Sequence, residues 1–519
     1  MLRSATRPPP AGAAAGPLRQ AVLSGRFARA EAGDVVCDLA ALLEQNRGAL
    51  ALWLGSDAVE ALSHDPRAIR ALIERDIVAI DRLIARQLDA VLHHPRLQRL
   101  EGSWRGLARM VGGFEGGPQL KTRLLAVRWD EIGRDLARAS QFDQSAVFRL
   151  IYESEFGTAG GEPFGLMVID HELRHTPEQR TLAGQAPVDD VSVLAELSAI
   201  AAAAFMPMVF GAAPALLGVD AFADLALSND IAAAFRDEAH ARWRALTTRE
   251  DARFLAVTMP RALARPRWRA GAQEHRGFRY EEHAAGPQHH TWCVAGYAFA
   301  ATVGRAQARF NWPGDVRGVT PDRVGGGLVT DLPAEPFVFG PETWWNRPTL
   351  DLTLTDRQEQ ELVLAGLMPL NALPHGDAAF ASVHSLQARH AEAVGRAPSA
   401  AGANTHLSAQ INAMLCVSRF AHYIKIIGRE LTGAFLTAGE IERRLQSWLA
   451  GYTNASQSPD PDSRARHPLV SSRVSVHELR DQPGSFGCVL QLQPFYQLDD
   501  VSATFRLVTG FAAAAGRPQ

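Results

Sequence analysis

Residues 132–170 read IGRDLARASQFDQSAVFRLIYESEFGTAGGEPFGLMVID, and this run restricts the fold more than any other part of the chain. Ile132, Leu136, Ala139, Ala146, Val147 and Leu150 recur at helical spacing, which predicts an amphipathic helix. A loop from Glu153 to Gly165 follows, with four glycines and three carboxylates. Leu166–Ile169 is then a short apolar run beside a glycine, as expected of a buried strand. Downstream, helix-like and strand-like segments keep alternating: a helix from Val191 to Phe205 with a strand around Met206–Phe210, a strand at Phe254–Met259, and helices at Thr291–Arg309 and Thr355–Ala365. The fold class expected is α/β (mixed α+β).

With 519 residues the chain can bury more than one core. Residues 1–64 read as a flexible N-terminal arm, with Asp34–Leu42 as a strand or the start of a helix. Asp65-Pro66 opens a long helix whose apolar face is Ile69, Leu72, Ile73, Ile77, Ile80, Ile84, Leu88 and Val91. Asp76, Asp81, Arg82 and Arg86 are placed opposite. Pro95 breaks it, and Leu97, Leu100, Trp104, Leu107 and Val111 mark a second helix ending at Gly112-Gly113. Lys121–Val127 is a strand candidate. Residues 65–390 thus form one α/β region, 391–404 a linker, and 405–519 a C-terminal domain.

That last domain starts with a helix carrying Leu407, Ile411, Met414, Leu415, Ile424 and Ile427. A second, Thr437–Leu449, has a capping box. Three strands are expected after it. Val474, Val476 and Leu479 mark the first, with a Pro483-Gly484 turn. Phe486, Cys488, Leu490 and Leu492 mark the second, and Val501, Ala503, Phe505 and Leu507 the third.

Composition removes several function classes. The formal net charge is −3 and the pI about 6.6, which gives no general attraction to nucleic acid or anionic lipid. Only Lys121 and Lys425 are lysines, so arginine supplies nearly all positive charge. Cys37, Cys293, Cys416 and Cys488 lie far apart among apolar neighbours and read as buried free thiols, which favours a reducing compartment. Residues 197–219 are long enough to span a bilayer and uncharged, but alanine, Pro207 and Pro214 argue for a buried helix and strand with no membrane insertion.

Three constellations invite chemistry. His171-Glu172-Leu173-Arg174-His175 matches the HExxH of zinc peptidases, which needs both histidines on one helical face. Here it follows an apolar strand and precedes Pro177, so a solvated turn is the reading and the peptidase is the minor alternative. Gly157–Gly165 lacks a phosphate-loop lysine, and Glu153, Glu155 and Glu162 would repel a phosphate. Gly325-Gly326-Gly327 has no lysine-serine pair after it, so both glycine runs read as backbone turns. His289-His290 near Cys293 has no zinc spacing. Trp344-Trp345 fits a contact patch or a packed anchor equally well. No catalytic, cofactor or metal residues are assigned.

The block FDQSAVFRLIYESEFGTAGGEPFG resembles the signature of the large subunit of the type VI secretion contractile sheath, the TssC/VipB family. HPRLQRLEGSWRGL (94–107), EDARFLAVTMPRALAR (250–265), HHTWCVAGYAFAATVGRAQARFNWPGDVRG (289–318), GGGLVTDLP (325–333), QELVLAGLMPLN (360–371), THLSAQINAMLCVSRFAHYIKIIGRE (405–430) and the tail block RARHPLVSSRVSVHELRDQPGSFGCVLQLQPFYQLDDVSATFRLV resemble further family blocks in the same order. The resemblance covers roughly Asp65 to Thr509, and the first 30 or so residues match poorly. It implies a structural, non-enzymatic protein of the bacterial cytoplasm. Such a protein pairs with a small sheath subunit and stacks with further copies of itself into a helical tube. The tube surrounds inner-tube hexamers, stands on a baseplate and contracts. An AAA+ ATPase later dismantles it, mainly through the small subunit.

The resemblance also implies β-strands exchanged between neighbours. Three strands near the C-terminus are too few to form a sheet without open edges, and an open edge accepts a strand from another chain. The expected intersubunit sheet comprises Val474, Val476 and Leu479; Phe486, Cys488, Leu490 and Leu492; and Val501, Ala503, Phe505 and Leu507. The region before Asp65 is the expected donor arm.

Overall fold

A computed structural model of the chain describes residues 17–25, 48–62, 65–114, 120–158, 160–177, 187–269, 277–319, 323–338, 344–346, 350–373, 377–388, 409–431, 437–454, 460–478 and 486–495. It divides into two compact units: residues up to Gln98 with Arg267–His290, and Arg99–Pro266 with the chain from Thr291 onward.

In the first unit, α1 (Pro17–Leu23), α2 (Ala49–Leu54) and α3 (Ser56–Leu62) precede the long α4 (Pro66–Leu92). So part of the stretch before Asp65 is helical, and Leu18, Ala21, Val22 and Leu54 are buried. Asp34–Leu42 and Cys37 lie outside the described residues. Asp65 caps α4 as its sequence suggests, accepting from the N–H groups of Arg67 and Ala68. The faces of α4 differ from expectation. Asp76 turns inward and is buried, while Ile77 and Ile84 of the expected core stripe are 51% and 41% exposed. The inward carboxylate is fully used: Arg19 Nε and Nη2 donate to its two oxygens at 2.7 and 2.8 Å, and Trp53 Nε1 donates at 2.9 Å. Periodicity does not foresee this, because the partners come from distant helices.

Pro95 starts α5 (Pro95–Gly112), as proline at a first helical turn does. Its buried face is also not the one expected. Gly102, Gly106 and Met110 are buried, whereas Leu100, Trp104 and Val111 are exposed. The cause is close backbone approach: a Cβ on Gly102 would lie 2.1 Å from the carbonyl oxygen of Trp292. Gly102→Ala is therefore expected to cost about 1–3 kcal/mol, the usual range for overpacking. Urea unfolding measures it, and an unchanged midpoint would contradict the contact.

The second unit is built on a parallel four-stranded sheet of β1 (Met167–Leu173), β2 (Met208–Ala212), β3 (Leu255–Met259) and β4 (Met368–Pro369), in that order. Every residue of β2 and β3 is buried, as expected of central strands covered on both faces. Met208 and Phe210 enter one core cluster with Leu194, Leu197 and Ile200 of α7 (Asp190–Ala204). Val209 enters the other with Phe299 and Val303 of α9 (Gly296–Phe310), α8 being Ala241–Thr247. Helix, sheet, helix: the α/β class holds, and small antiparallel pairings make it mixed. No described helix is long and apolar enough to cross a membrane. The residue 197–219 run is the buried end of α7, β2 and the turns beyond.

The opening run departs from a single helix. α6 (Trp129–Arg138) ends where Ala139 turns extended. Asp135 then reaches across the break to accept from the N–H groups of Ala146 and Val147, and Ser145 caps the next turn. That turn runs into a π-helix at Arg149–Phe156, so Glu153–Phe156 belong to a helix and not to the loop. Lys121–Val127 forms no strand; Lys121–Arg128 is exposed throughout, without a turn or helix. α10 (Asp356–Leu364) falls within the expected helix and starts at a Thr355 capping box that the sequence reading did not name. Gly326 sits at φ +61°, and a Cβ on Gly327 would meet the Phe380 carbonyl oxygen at 2.1 Å, so these glycines are backbone turns.

The C-terminal part holds α11 (Ile411–Leu431), α12 (Ala438–Ala450), α13 (Pro461–Arg466) and a hairpin of β5 (Leu469–Glu478) and β6 (Phe486–Pro494). Residues 389–408 and 496–519 lie outside the described residues, and with them the expected linker and third strand. His422 of α11 is fully buried against the Ala204 carbonyl oxygen at 2.9 Å. Burial pushes its imidazole down from 6.5 to about 4, with Arg419 and Lys425 adding to the effect and the hydrogen bond to Ala204 opposing it. The folded state thus prefers neutral His422, and its contribution is complete above pH 6.5 and lost as the pH falls toward 4. At about 1.4 kcal/mol per pH unit this amounts to roughly 3 kcal/mol. Urea midpoints between pH 7 and 4 measure the slope, and His422→Phe should flatten it; equal slopes would exclude His422 as the source.

Candidate assembly interface

The hairpin pairs in antiparallel register, with Val474 opposite Leu490, Ser475 opposite Val489 and Val476 opposite Cys488. Val474 and Val476 are buried, in a cluster with Trp312, Phe420, Leu445 and Leu449 that Leu490 and Leu492 join from β6. Cys416 is buried there too, and burial raises its thiol to about 12, so it is inert. Cys488 is exposed, contrary to the buried thiol expected. The cluster beneath the hairpin reaches Leu490 and Leu492 but stops short of it. Phe486 opens β6. Leu479, Val501, Ala503, Phe505 and Leu507 lie outside the described residues.

The two hairpin edges are unequal. On β5, the N–H of Val474 donates to Gln446 Oε1 at 3.0 Å, and the N–H of Val476 donates to Glu442 Oε2 at 3.0 Å. Gln446 Nε2 also donates to the Ser472 carbonyl oxygen at 3.1 Å. Residues 472, 474 and 476 therefore point away from β6, and Arg473, Ser475 and His477 point toward it. By the register, Gly487, Val489 and Gln491 face β5, while Cys488, Leu490 and Leu492 turn their backbone groups outward. Among the described residues those groups have no hydrogen-bond partner. An edge of this kind accepts a strand.

Two family models match this chain. The VipB model described as "EvpB/VC_A0108, tail sheath N-terminal domain" covers residues 74–387, and the one for the tail sheath gpW/gp25-like domain covers residues 400–511. The chain belongs to the VipB tail sheath family. It is 33% identical over 448 residues to the type VI secretion system sheath protein TssC1 of Pseudomonas aeruginosa, covering 85% of this chain and 86% of that one. A chain in the cryo-EM structure of the anti-feeding prophage baseplate aligns at 8% identity and a TM-score of 0.32, over 64% of this chain and 66% of its own, which is too distant to bear on the fold.

In this sheath protein the HExxH stretch is strand over its first three residues, and only its end, at His175, lies in a bend. β1 continues through Leu173, so His171 and Glu172 point to opposite faces. His171 lies on the strand and His175 in the bend after it, so the two histidines share no helical face. His171 stacks on Trp129 at 4.3 Å and pairs with buried Asp190 at 3.2 Å. His175 stacks on His240 at 3.8 Å. Glu172 faces Arg261 at 3.7 Å, and crowding by neighbouring atoms raises its carboxyl although about a third of the side chain (31%) reaches solvent. These are packing roles, and among the described residues no group of His, Cys, Asp and Glu is arranged to hold a metal.

The carboxylates of the signature loop are also taken. Glu155 accepts from the Glu162 N–H at 3.0 Å and pairs with Arg123, contacts that outweigh burial and hold its carboxyl below the ordinary value. Glu162 pairs with Lys121. Lys425 lies over the rings of Phe156 at 3.6 Å and Tyr152 at 4.7 Å, tying α11 to the π-helix. His290 Nδ1 contacts the Gly286 carbonyl oxygen, and the His289 ring lies against that of His93 at a tilt of 45°. Trp344–Asn346 pairs as a short strand with Pro336–Val338. Sequence reading missed Glu442 and Gln446, whose spacing looks like an ordinary solvated helix face.

Proposed function

We propose that this sheath protein pairs with a small sheath subunit and polymerises in the bacterial cytoplasm into a helical tube. The tube surrounds inner-tube hexamers on a baseplate and contracts to drive them out, and an AAA+ ATPase recycles it, mainly through the small subunit. The hairpin is the joint of this lattice: Val474, Val476, Leu479, Phe486, Cys488, Leu490 and Leu492 form the accepting part of the sheet, and Val501, Ala503, Phe505 and Leu507 of a neighbouring copy add its third strand on β6. Segments before Asp65 serve as a further donor arm, pairing beyond that third strand.

The observation that carries this reading is the outward row of unpartnered backbone groups on β6. Strand addition satisfies them, and a head-to-tail contact that does not close propagates as a helix. Co-expression with the cognate small subunit, imaged by electron microscopy, tests it. Hollow tubes of both chains are the expected result. A monodisperse complex without tubes, at concentrations where the pair is bound, would overturn it.

A further inference from the structure

α12 runs beside β5 with the chemistry of a strand. Gln446 presents one donor and one acceptor, to the Ser472 carbonyl oxygen and the Val474 N–H, and Glu442 presents an acceptor to the Val476 N–H. The spacing explains why a helix can do this. Residues four apart on a helix rise about 6 Å, and outward-facing groups on a strand repeat every about 6.8 Å. Leu445 and Leu449 are buried beneath, which fixes the helix where those two side chains meet the edge.

We infer that α12 is a built-in substitute strand that closes the β5 edge, so that the sheet accepts a strand from a second copy of this chain on the β6 edge alone. This rests on the strand-exchange reading above and adds its direction. The occupant fits by pattern: Val501, Ala503, Phe505 and Leu507 alternate with Ser502, Thr504 and Arg506, so a paired strand would continue the apolar face of Leu490 and Leu492. Closing one edge gives each sheet a single accepting side. The lattice then extends along defined links, where a sheet open at both edges would also join chains at random.

Amide hydrogen exchange on the full chain co-purified with its small subunit, before and after tube assembly, tests this. In wild type, residues 470–478 should exchange equally slowly in both states, and residues 486–494 should slow about tenfold or more on assembly, as expected for backbone groups gaining hydrogen bonds. In the unassembled Glu442→Ala/Gln446→Ala chain, residues 470–478 should speed up about tenfold. Glu442→Gln, which keeps the acceptor, should stay near wild type, so folding failure is told apart from loss of the seal. Wild-type protection of 470–478 that rises on assembly would overturn the inference, because a strand would then be adding to β5. Protection of 486–494 already complete in the unassembled chain would overturn it too, since the chain's own tail would fill the edge. Tubes that form with no change at 486–494 would refute strand exchange itself, while the unassembled double variant still reports separately whether α12 seals β5.

Discussion

Val489→Pro should leave no sheath tubes in a co-expression that gives wild-type numbers with Val489→Thr. Val489 stands opposite Ser475, and the bonds from Val474 and Val476 to α12 put the Val489 N–H on the inner side of the hairpin. Proline has no N–H to give, and its ring fits only edge or bulge positions of a sheet. The direct loss is one rung, about 1 kcal/mol net. The consequence is larger, because two strands alone are barely stable and this rung lies in the middle of the ladder. The Val489 side chain is 52% exposed, so threonine there disturbs neither core nor pairing. Electron microscopy counts the tubes, and thermal melting of the unassembled chain checks that the parallel-sheet core survives. Wild-type tubes from the proline variant would mean that the hairpin is no part of the joint.

What could be read from the sequence follows how local each cause is. The caps at Asp65 and Thr437 lie within a few residues of what they cap, and the structure has both. β2 and β3 were legible because strands covered on both faces are continuously apolar. The hairpin was legible from alternation. Helix faces were not. α4 buries Asp76 because two partners more than twenty residues away in sequence satisfy it, and α5 buries glycines because the Trp292 backbone passes close by. The break between α6 and the π-helix depends on Asp135 reaching eleven and twelve residues ahead, and hydrophobic spacing carries no trace of it. The unequal hairpin edges are hidden for the same reason. Glu442 and Gln446 look solvated until β5 is beside them.

Asp76→Ala should destabilise the first unit by about 3 kcal/mol or more, because it leaves the guanidinium of Arg19 facing an apolar side chain. Arg19 retains 19% of its side-chain exposure, so the lower end of the range for a broken buried pair applies. Burial by itself would raise the Asp76 carboxyl, but the hydrogen bonds from Arg19 and Trp53, and the arginine's charge, outweigh it and hold the group below its ordinary 3.8. The contribution is therefore complete above pH 3.8 and is lost as the pH falls below it. α1 and α2 both anchor here, through Arg19 and Trp53, so limited proteolysis should release the segment before Asp65 faster in the alanine variant. Replacing the pair together, Arg19→Met with Asp76→Leu, removes both charges and should restore much of the loss, since apolar packing often equals a buried ion pair. Urea unfolding at pH 7 compares the three chains. If the double variant is as unstable as Asp76→Ala, the cost lies in lost shape and not in a stranded charge; if Asp76→Ala matches wild type, this triad does not hold the N-terminal helices in place.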